Sequence, residues 1–316
     1  MRKAIFLFLF LGYFSAQAQQ LPLQSQFNDL QGVINPAAIN ANYTRSGYGL
    51  NFGINHRTQW TGIPNSPKTS ILQMDYVYEN DPVGLIFGGH LIKDQASRLG
   101  VIGAYGKIGA LISSDPKNSG FSMGISGGVV QYAIDTREAK LIDTDDQAVF
   151  LANDQKIYPD VGFGVSYYKK VGRKDDLIYG GISVPQIFGL DLAYKNGDNH
   201  FFNVKRVQHY YAQLGYMKNL PRDASYLEFS SWIKYVNGAP INIDANIKYQ
   251  ITDLIFLSSG VNSSGLYNGQ VGLEFDDKIG NDNIIRLSYG FNAPFFGDSP
   301  QFGNAHEISL SIGLDQ

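Results

Sequence analysis

A strict alternation of apolar and polar side chains is the feature that most constrains this sequence. It is clearest over residues 241–250. The odd positions there are Ile241, Ile243, Ala245, Ile247 and Tyr249, and the even positions are Asn242, Asp244, Asn246, Lys248 and Gln250. Successive side chains of a β-strand point to opposite faces, so this strand has one apolar and one polar face. Similar segments of roughly ten residues recur from about residue 46 onward, which predicts an all-β, transmembrane antiparallel β-barrel of the outer-membrane type.

About fourteen strands are predicted from this repeat. They lie near residues 46–56, 69–78, 83–92, 99–112, 120–132, 160–170, 176–184, 206–217, 224–236, 240–250, 253–262, 267–276, 283–292 and 305–314. An even number of strands places both termini on the periplasmic side. Connections after odd-numbered strands then face outward and are the longer set, as expected of extracellular loops. The longest of them are predicted at 133–159 and 185–205.

Charged residues inside the predicted strands nearly all fall on the polar face. Six examples are Glu228, Lys234, Asp244, Lys248, Glu274 and Arg286. A Lys or Arg facing lipid near the bilayer midplane would cost roughly 2 to 4 kcal/mol, so this segregation favours a barrel. In the first strand, Tyr48, Leu50, Phe52 and Ile54 are predicted to face lipid. The rival fold, a soluble β-sandwich, would leave large sets of Tyr and Phe on an outer face without a partner.

The N-terminus predicts export. Arg2 and Lys3 precede an apolar run over residues 4–14, and Ala16-Gln17-Ala18 is a small-x-small cleavage site. This pattern is typical of a secretory signal peptide. We therefore predict a signal peptide at 1–18, an N-terminal periplasmic or plug segment at 19–45, and an outer-membrane barrel at 46–316, reached through the periplasm.

The composition agrees with such a barrel. The 316-residue chain contains 20 Tyr, 20 Phe and no Cys, and its formal net charge is -3. Tyr and Phe form the aromatic girdles of membrane barrels at the two lipid interfaces. The absence of Cys means that stability does not come from disulfides. The small negative charge indicates no nucleic-acid partner.

Candidate chemical motifs carry little weight. Gly124-Ile125-Ser126-Gly127-Gly128 matches G-x-S-x-G, but it lies within an alternating strand rather than a strand-turn-helix elbow. His306 and Glu307 are adjacent on a strand and point to opposite sides, so they cannot bind one metal ion together. We therefore predict no enzyme activity, cofactor or metal site.

One possible metal site stays open in the long 133–159 connection. Asp143, Asp145 and Asp146 offer oxygen ligands for calcium, although the glycine and the distal glutamate of an EF-hand loop are missing.

Several short motifs resemble those of a known family. They are Gln24-Ser25-Gln26-Phe27, Ile34-Asn35-Pro36-Ala37, Arg57-Thr58-Gln59-Trp60, Asn65-Ser66-Pro67-Lys68-Thr69, Asp94, Pro159-Asp160, Lys234-Tyr235, Asp244-Ala245-Asn246, Arg286-Leu287-Ser288-Tyr289 and Gly303-Asn304-Ala305-His306-Glu307-Ile308. In this order and spacing they resemble the PorP/SprF family of type IX secretion system outer-membrane proteins from Bacteroidetes. The resemblance covers nearly the whole chain after the signal peptide.

The resemblance implies a non-enzymatic barrel that supports secretion or surface anchoring of large exported proteins, such as gliding adhesins with a sorting C-terminal domain. Its implied partners are that cargo or its sorting domain, other type IX secretion components, and outer-membrane lipid. We predict a partner-binding rim formed by Arg57, Gln59, Trp60 and Asp94. The alternative is a general porin or a channel for small hydrophobic solutes.

Overall fold

The computed structural model describes residues 27–97, 99–134, 156–188, 191–196, 199–205, 207–221, 225–276, 283–294 and 304–315. The predicted signal peptide and the aspartates of the possible calcium site lie outside the described residues.

Fourteen antiparallel strands close into a barrel, which confirms the predicted fold class. The strands of the barrel wall are β1 (Leu50–Thr58), β2 (Lys68–Tyr78), β3 (Val83–Ala96), β4 (Leu99–Ile112), β5 (Ser119–Ile134), β6 (Lys156–Val171), β7 (Asp176–Val184), β10 (His209–Asn219), β11 (Tyr226–Val236), β12 (Asn242–Gln250), β13 (Ile255–Asn262), β14 (Leu266–Asp276), β15 (Asn283–Pro294) and β16 (Ala305–Leu314). Pairing of β1 with β16, from Leu50 opposite Leu314 to Thr58 opposite His306, closes the wall.

The two ends of the barrel differ. We call the end that carries the connections 59–67, 135–155, 185–208 and 295–304 the loop end. We call the opposite end the turn end. Its connections between strands have four to six residues, and β1 begins there. By the rule used above, the loop end is the one predicted to face outside the cell.

A separate hairpin lies in the connection between β7 and β10. Its strands are β8 (Asp191–Asn196) and β9 (Asn199–Lys205), which pair only with each other. This stretch belongs to the connection predicted at 185–205. The two strands have only six and seven residues, so an alternation over them is a weak signal in the sequence.

The two faces of the wall follow the alternation. In β12, every even position from Asn242 to Gln250 is buried, whereas Ile243 and Ile247 are exposed. The six charged residues predicted to point inward are all buried. The apolar positions that face outward are exposed to the surroundings, as the lipid-facing side of a membrane barrel requires.

The first strand begins later than predicted. Residues 41–46 form the helix α2 (Ala41–Ser46), and Gly47 ends it with a φ of 83°. This left-handed conformation favours glycine and turns the chain toward β1. Tyr48 therefore precedes the strand, is buried, and donates to Asp276 Oδ1 at 2.7 Å. Its predicted lipid-facing position is wrong.

Residues 27–48, which we call the inner segment, lie inside the barrel. The segment comprises a 3-10 turn (Phe27–Leu30), α1 (Gln31–Ile34) and α2. Its side chains and carbonyls contact strands on several sides: Asn51 of β1, Gln73 of β2, Ser122 of β5, Ser183 of β7, Ser230 of β11 and Glu274 of β14. Among the described residues, no helix is long and apolar enough to cross a membrane. The division of the chain at residues 18 and 45 stays a prediction.

Candidate functional site

The inner segment is held against β5, β6 and β7 by hydrogen bonds of its backbone and of the Asn35 side chain. Ser122 Oγ donates to the carbonyl of Ala37 at 2.7 Å, and Ser183 Oγ donates to the carbonyl of Ile34 at 2.9 Å. Asn35 Nδ2 donates to the carbonyl of Val165 at 3.1 Å. The Ile34-Asn35-Pro36-Ala37 motif therefore docks on the barrel wall.

Glycines in the wall make room for this motif. A Cβ atom placed on Gly124 would lie 2.6 Å from the carbonyl oxygen of Pro36. One placed on Gly164 would lie 2.0 Å from Asn35 Oδ1. Any larger residue at either position would overlap the inner segment, so the two glycines fit its close approach.

Ion pairs hold the opposite side of the inner segment. Glu274 forms ion pairs with both Arg45 and Arg286, and its Oε2 lies 2.7 Å from Arg286 Nη2. Arg286 Nη1 also lies 3.6 Å from Asp29 Oδ1. These four residues combine two charges of each sign. The inner segment is thus joined to β14 and β15 by paired rather than isolated charges.

Apolar side chains surround α2 near the turn end. This cluster comprises Ile39, Tyr43, Val77, Ile86, Leu111, Tyr168, Leu177, Met217 and Tyr226. Seven strands of the wall contribute to it: β2, β3, β4, β6, β7, β10 and β11. Together with the polar contacts above, the cluster packs the inner segment across the lumen at this level.

A row of inward residues crosses four strands near the loop end. In the strand register, Glu307 of β16 lies opposite Arg57 of β1, which lies opposite Thr69 of β2, which lies opposite Asp94 of β3. Neighbouring strands are about 4.8 Å apart, so Arg57 and Asp94 lie about 10 Å apart on one level. The structure thus places two of the predicted site residues on one inner row.

Arg57 lies in β1 and faces the lumen, although the predicted strand ended one residue earlier. Its Nη1 donates to Glu307 Oε2 at 3.0 Å and to Asn292 Oδ1 at 2.7 Å, and Asn55 Nδ2 donates to Glu307 Oε1 at 2.8 Å. All four side chains are buried. Arg57 is therefore part of the inner wall.

Asp94 lies in β3 rather than in a loop, because β3 extends to Ala96. Its Oδ1 accepts a hydrogen bond from Thr69 Oγ1 at 2.6 Å. Gln59 and Trp60 follow β1, and the backbone N–H of Gln59 donates to the carbonyl of Pro67 at 2.8 Å. Trp60 is 45% exposed. The four predicted residues thus divide into an inner pair and a pair in the β1–β2 loop.

A cavity of about 90 Å³ lies between the inner segment and the loop end, and we call it the loop-end cavity. Its lining residues are Leu30, Val33, Ile34, Ile71, His90, Ile92, Asp94, Val101, Tyr105, Ser126, Val130, Tyr132, Asp160, Pro185, Gln186, Tyr211 and Trp232. Most of these are apolar or aromatic. Of the predicted site residues, only Asp94 lines it.

The motifs that resembled catalytic sites behave as strand residues. Ser126 lies within β5, between the exposed Ile125 and Gly127. Glu307 is buried in the lumen, whereas His306 is on the outer side, within 2.5 Å of the Tyr289 hydroxyl. Within the part of the chain that is described, no group of His, Asp and Glu is arranged to hold a metal ion.

Solved structures with the same architecture are outer-membrane channels. The toluene transporter TodX of P. putida is 13% identical, with a TM-score of 0.53 over 90% of this chain and 94% of that chain. The monoaromatic hydrocarbon channel CymD is 9% identical, with a TM-score of 0.52 over 92% of this chain and 97% of that chain. At such identities the likeness shows the fold alone. The fold defines an outer-membrane β-barrel.

The family is given by the sequence. The family described as "Type IX secretion system membrane protein PorP/SprF" matches residues 16–312. The chain belongs to this family. A search of curated proteins finds no match.

Proposed function

We propose that this barrel supports the secretion or the surface anchoring of a large exported protein through the type IX secretion system. Membership of the PorP/SprF family supports a place among the components of that system. The partner in this proposal is the exported protein or its C-terminal sorting domain, such as that of a gliding adhesin. We assign no catalytic role to the barrel.

The observation that carries the proposal is the packing of the inner segment across the lumen. A diffusion porin needs a water-filled lumen. Here the inner segment contacts strands on several sides through hydrogen bonds, ion pairs and apolar packing. We propose that the inner segment acts as a plug and that the barrel works by holding a partner at its loop end.

A rim test follows from the two predicted residues of the β1–β2 loop, the half-buried Gln59 and the exposed Trp60. Trp residues are among those that dominate interface energies, and truncating one commonly costs 2 kcal/mol or more of binding. Changing Gln59→Ala together with Trp60→Ala is expected to release the surface partner while the barrel still assembles. Tyr78→Ala is the matched control, because Tyr78 is 48% exposed at the turn end. Cell-surface and culture-fluid proteins are compared by quantitative mass spectrometry.

Barrel assembly is checked in each variant by the shift in gel mobility between unboiled and boiled protein. Release of the partner in the double variant and not in Tyr78→Ala supports the rim. An unchanged surface profile in the fully assembled double variant would contradict it.

A second candidate is a channel for small hydrophobic solutes. The apolar walls of the loop-end cavity favour it, and TodX and CymD, which share the fold, are hydrocarbon channels by name. If the barrel is such a channel, deleting the gene should lower uptake of a hydrocarbon such as toluene and leave the surface proteins unchanged. If it supports secretion or anchoring, the deletion should change the surface proteins and leave hydrocarbon uptake unchanged.

A further inference from the structure

We propose that the loop-end cavity is a peptide-binding site that takes an aliphatic side chain, of the size of Val or Leu, from an extended segment entering the lumen. The inference rests on the proposed function and names the chemistry of the partner. It follows from the size of the cavity, from two lining residues that each have a buried, unpaired polar atom, and from its position.

The size sets the largest group that fits. The volume of the loop-end cavity is about 90 Å³. A cavity of about 150 Å³ is known to bind benzene. The loop-end cavity therefore suits a side chain of three or four heavy atoms better than an aromatic ring.

Two polar side chains distinguish this cavity from a purely apolar one. Gln186 Oε1 is an acceptor and Trp232 Nε1 is a donor, and each is buried without a hydrogen-bond partner among the described residues. Gln186 is 5% exposed and Trp232 is 2% exposed. Buried polar groups are nearly always paired, so these two indicate a ligand with a donor and an acceptor.

A peptide backbone carries both of these groups beside each side chain. Its N–H would donate to Gln186 Oε1, and its carbonyl would accept from Trp232 Nε1. A hydrocarbon offers neither, and it would leave both atoms unpaired. The acidic residues Asp94 and Asp160 line the cavity, and no Lys or Arg is found among its described lining residues. A carboxylate ligand is therefore disfavoured.

The lysine beside Trp232 is already engaged. Lys234 Nζ lies 4.3 Å from the centroid of the Trp232 ring and forms an ion pair with Asp244. This contact is with the ring face, whereas the indole N–H lies at the ring edge. The lysine therefore fixes the ring without pairing with its N–H.

The position gives access from the loop end. Val101 lies at the start of β4, Tyr132 near the end of β5, and Gln186 just after β7, all at the loop end. Leu30, Val33 and Ile34 of the inner segment form the floor. A segment that enters from the loop end would reach the cavity and stop at the inner segment.

The test uses the full chain in lipid nanodiscs with Trp60→Phe, which leaves Trp232 as the single tryptophan of the two in the sequence. N-acetyl-L-leucinamide, N-acetylglycinamide and toluene are titrated while Trp232 fluorescence is followed. We expect a saturable change with the leucinamide and at least tenfold weaker binding of the glycinamide. Toluene is expected to give no saturable change.

Three further variants test the site itself. Gln186→Met keeps the size and removes the acceptor, so it should weaken leucinamide binding about fivefold to tenfold. Gln95→Met, on the exposed side of β3, should have no effect. Val101→Phe should fill the cavity and abolish binding. Gel mobility before and after boiling verifies that each barrel is folded.

The outcomes separate the site from its role in cells. Toluene binding that equals or exceeds leucinamide binding, or no saturable change with any probe in folded protein, would overturn the peptide site. One mixed outcome is that the protein without Val101→Phe binds leucinamide, while a strain carrying Val101→Phe has an unchanged surface-protein profile. It would contradict the proposed function and leave the site in place. The other mixed outcome is that the Val101→Phe strain loses the surface partner although the protein without this change binds no leucinamide. It would contradict the peptide site and leave the proposed function in place.

Discussion

The neighbours His306 and Glu307 show how much a single position decides in this barrel. Glu307 is fully buried and accepts hydrogen bonds from Arg57 and Asn55, whereas His306 lies outside beside Tyr289. Removing one partner of a buried ion pair commonly costs about 3 to 5 kcal/mol. Glu307→Ala should therefore lower the free energy of unfolding by this amount.

His306→Ala is the matched control, and it should cost about 1 kcal/mol or less because the position is on the outer surface. Urea unfolding of the barrel in lipid vesicles, followed by Trp fluorescence, measures both. Equal losses in the two variants would mean that the Arg57–Glu307 pair does not stabilise the wall.

Two glycines of β5 provide a second test at this scale. Gly124 faces the carbonyl of Pro36, whereas a Cβ on Gly127 would meet nothing within 4 Å. Adding a methyl group to a packed site commonly costs about 1 to 3 kcal/mol. Gly124→Ala should therefore destabilise the protein by that amount in the same urea assay, and Gly127→Ala should leave it nearly unchanged. The reverse order would argue against the docking of the inner segment on β5.

The sequence alternation predicted which side chains face inward. It did not predict the apolar lining of the loop-end cavity. Ile71, Val130 and Trp232 occupy inward positions in strands whose other inward residues are mostly polar. That exception to the alternation was a signal for the loop-end cavity. Gln186 lies beyond any strand of the wall, and only the folded chain places it in the same cavity lining as Trp232.

The inner segment is the element on which the account of the lumen depends. Deleting residues 27–46 should leave a folded barrel, because the fourteen strands pair with one another and not with this segment. The polar inner wall should then fill with water. We expect little ion conductance for the intact protein in a planar bilayer and steady channels for the deletion variant. Comparable conductance in both would mean that the segment does not close the lumen.

At the same scale, strands and helices differ in how far sequence predicts them. The wall strands have eight to sixteen residues, long enough to show a period of two, and this signal located all fourteen. The helices α1 and α2 have only four and six residues. Such short helices complete too few turns to show a period of 3.6, and contacts with the wall stabilise them instead.

For the whole molecule, fold and family carry different information. Hydrocarbon channels share the architecture at 9% and 13% identity, so the barrel by itself does not specify what passes through or binds. The family match covers residues 16–312 and points to the type IX secretion system. The packed inner segment and the small loop-end cavity agree better with a partner-binding barrel than with an open pore.

The most direct test of this central claim is the comparison of surface and culture-fluid proteins between a strain lacking the gene and its parent, while the type IX apparatus is active. Quantitative mass spectrometry of both fractions is the measurement, and the gene restored on a plasmid is the control. The account predicts that one or a few large exported proteins with a sorting C-terminal domain leave the surface, and that the restored gene returns them. Unchanged protein profiles, together with reduced uptake of a small hydrophobic solute, would contradict it.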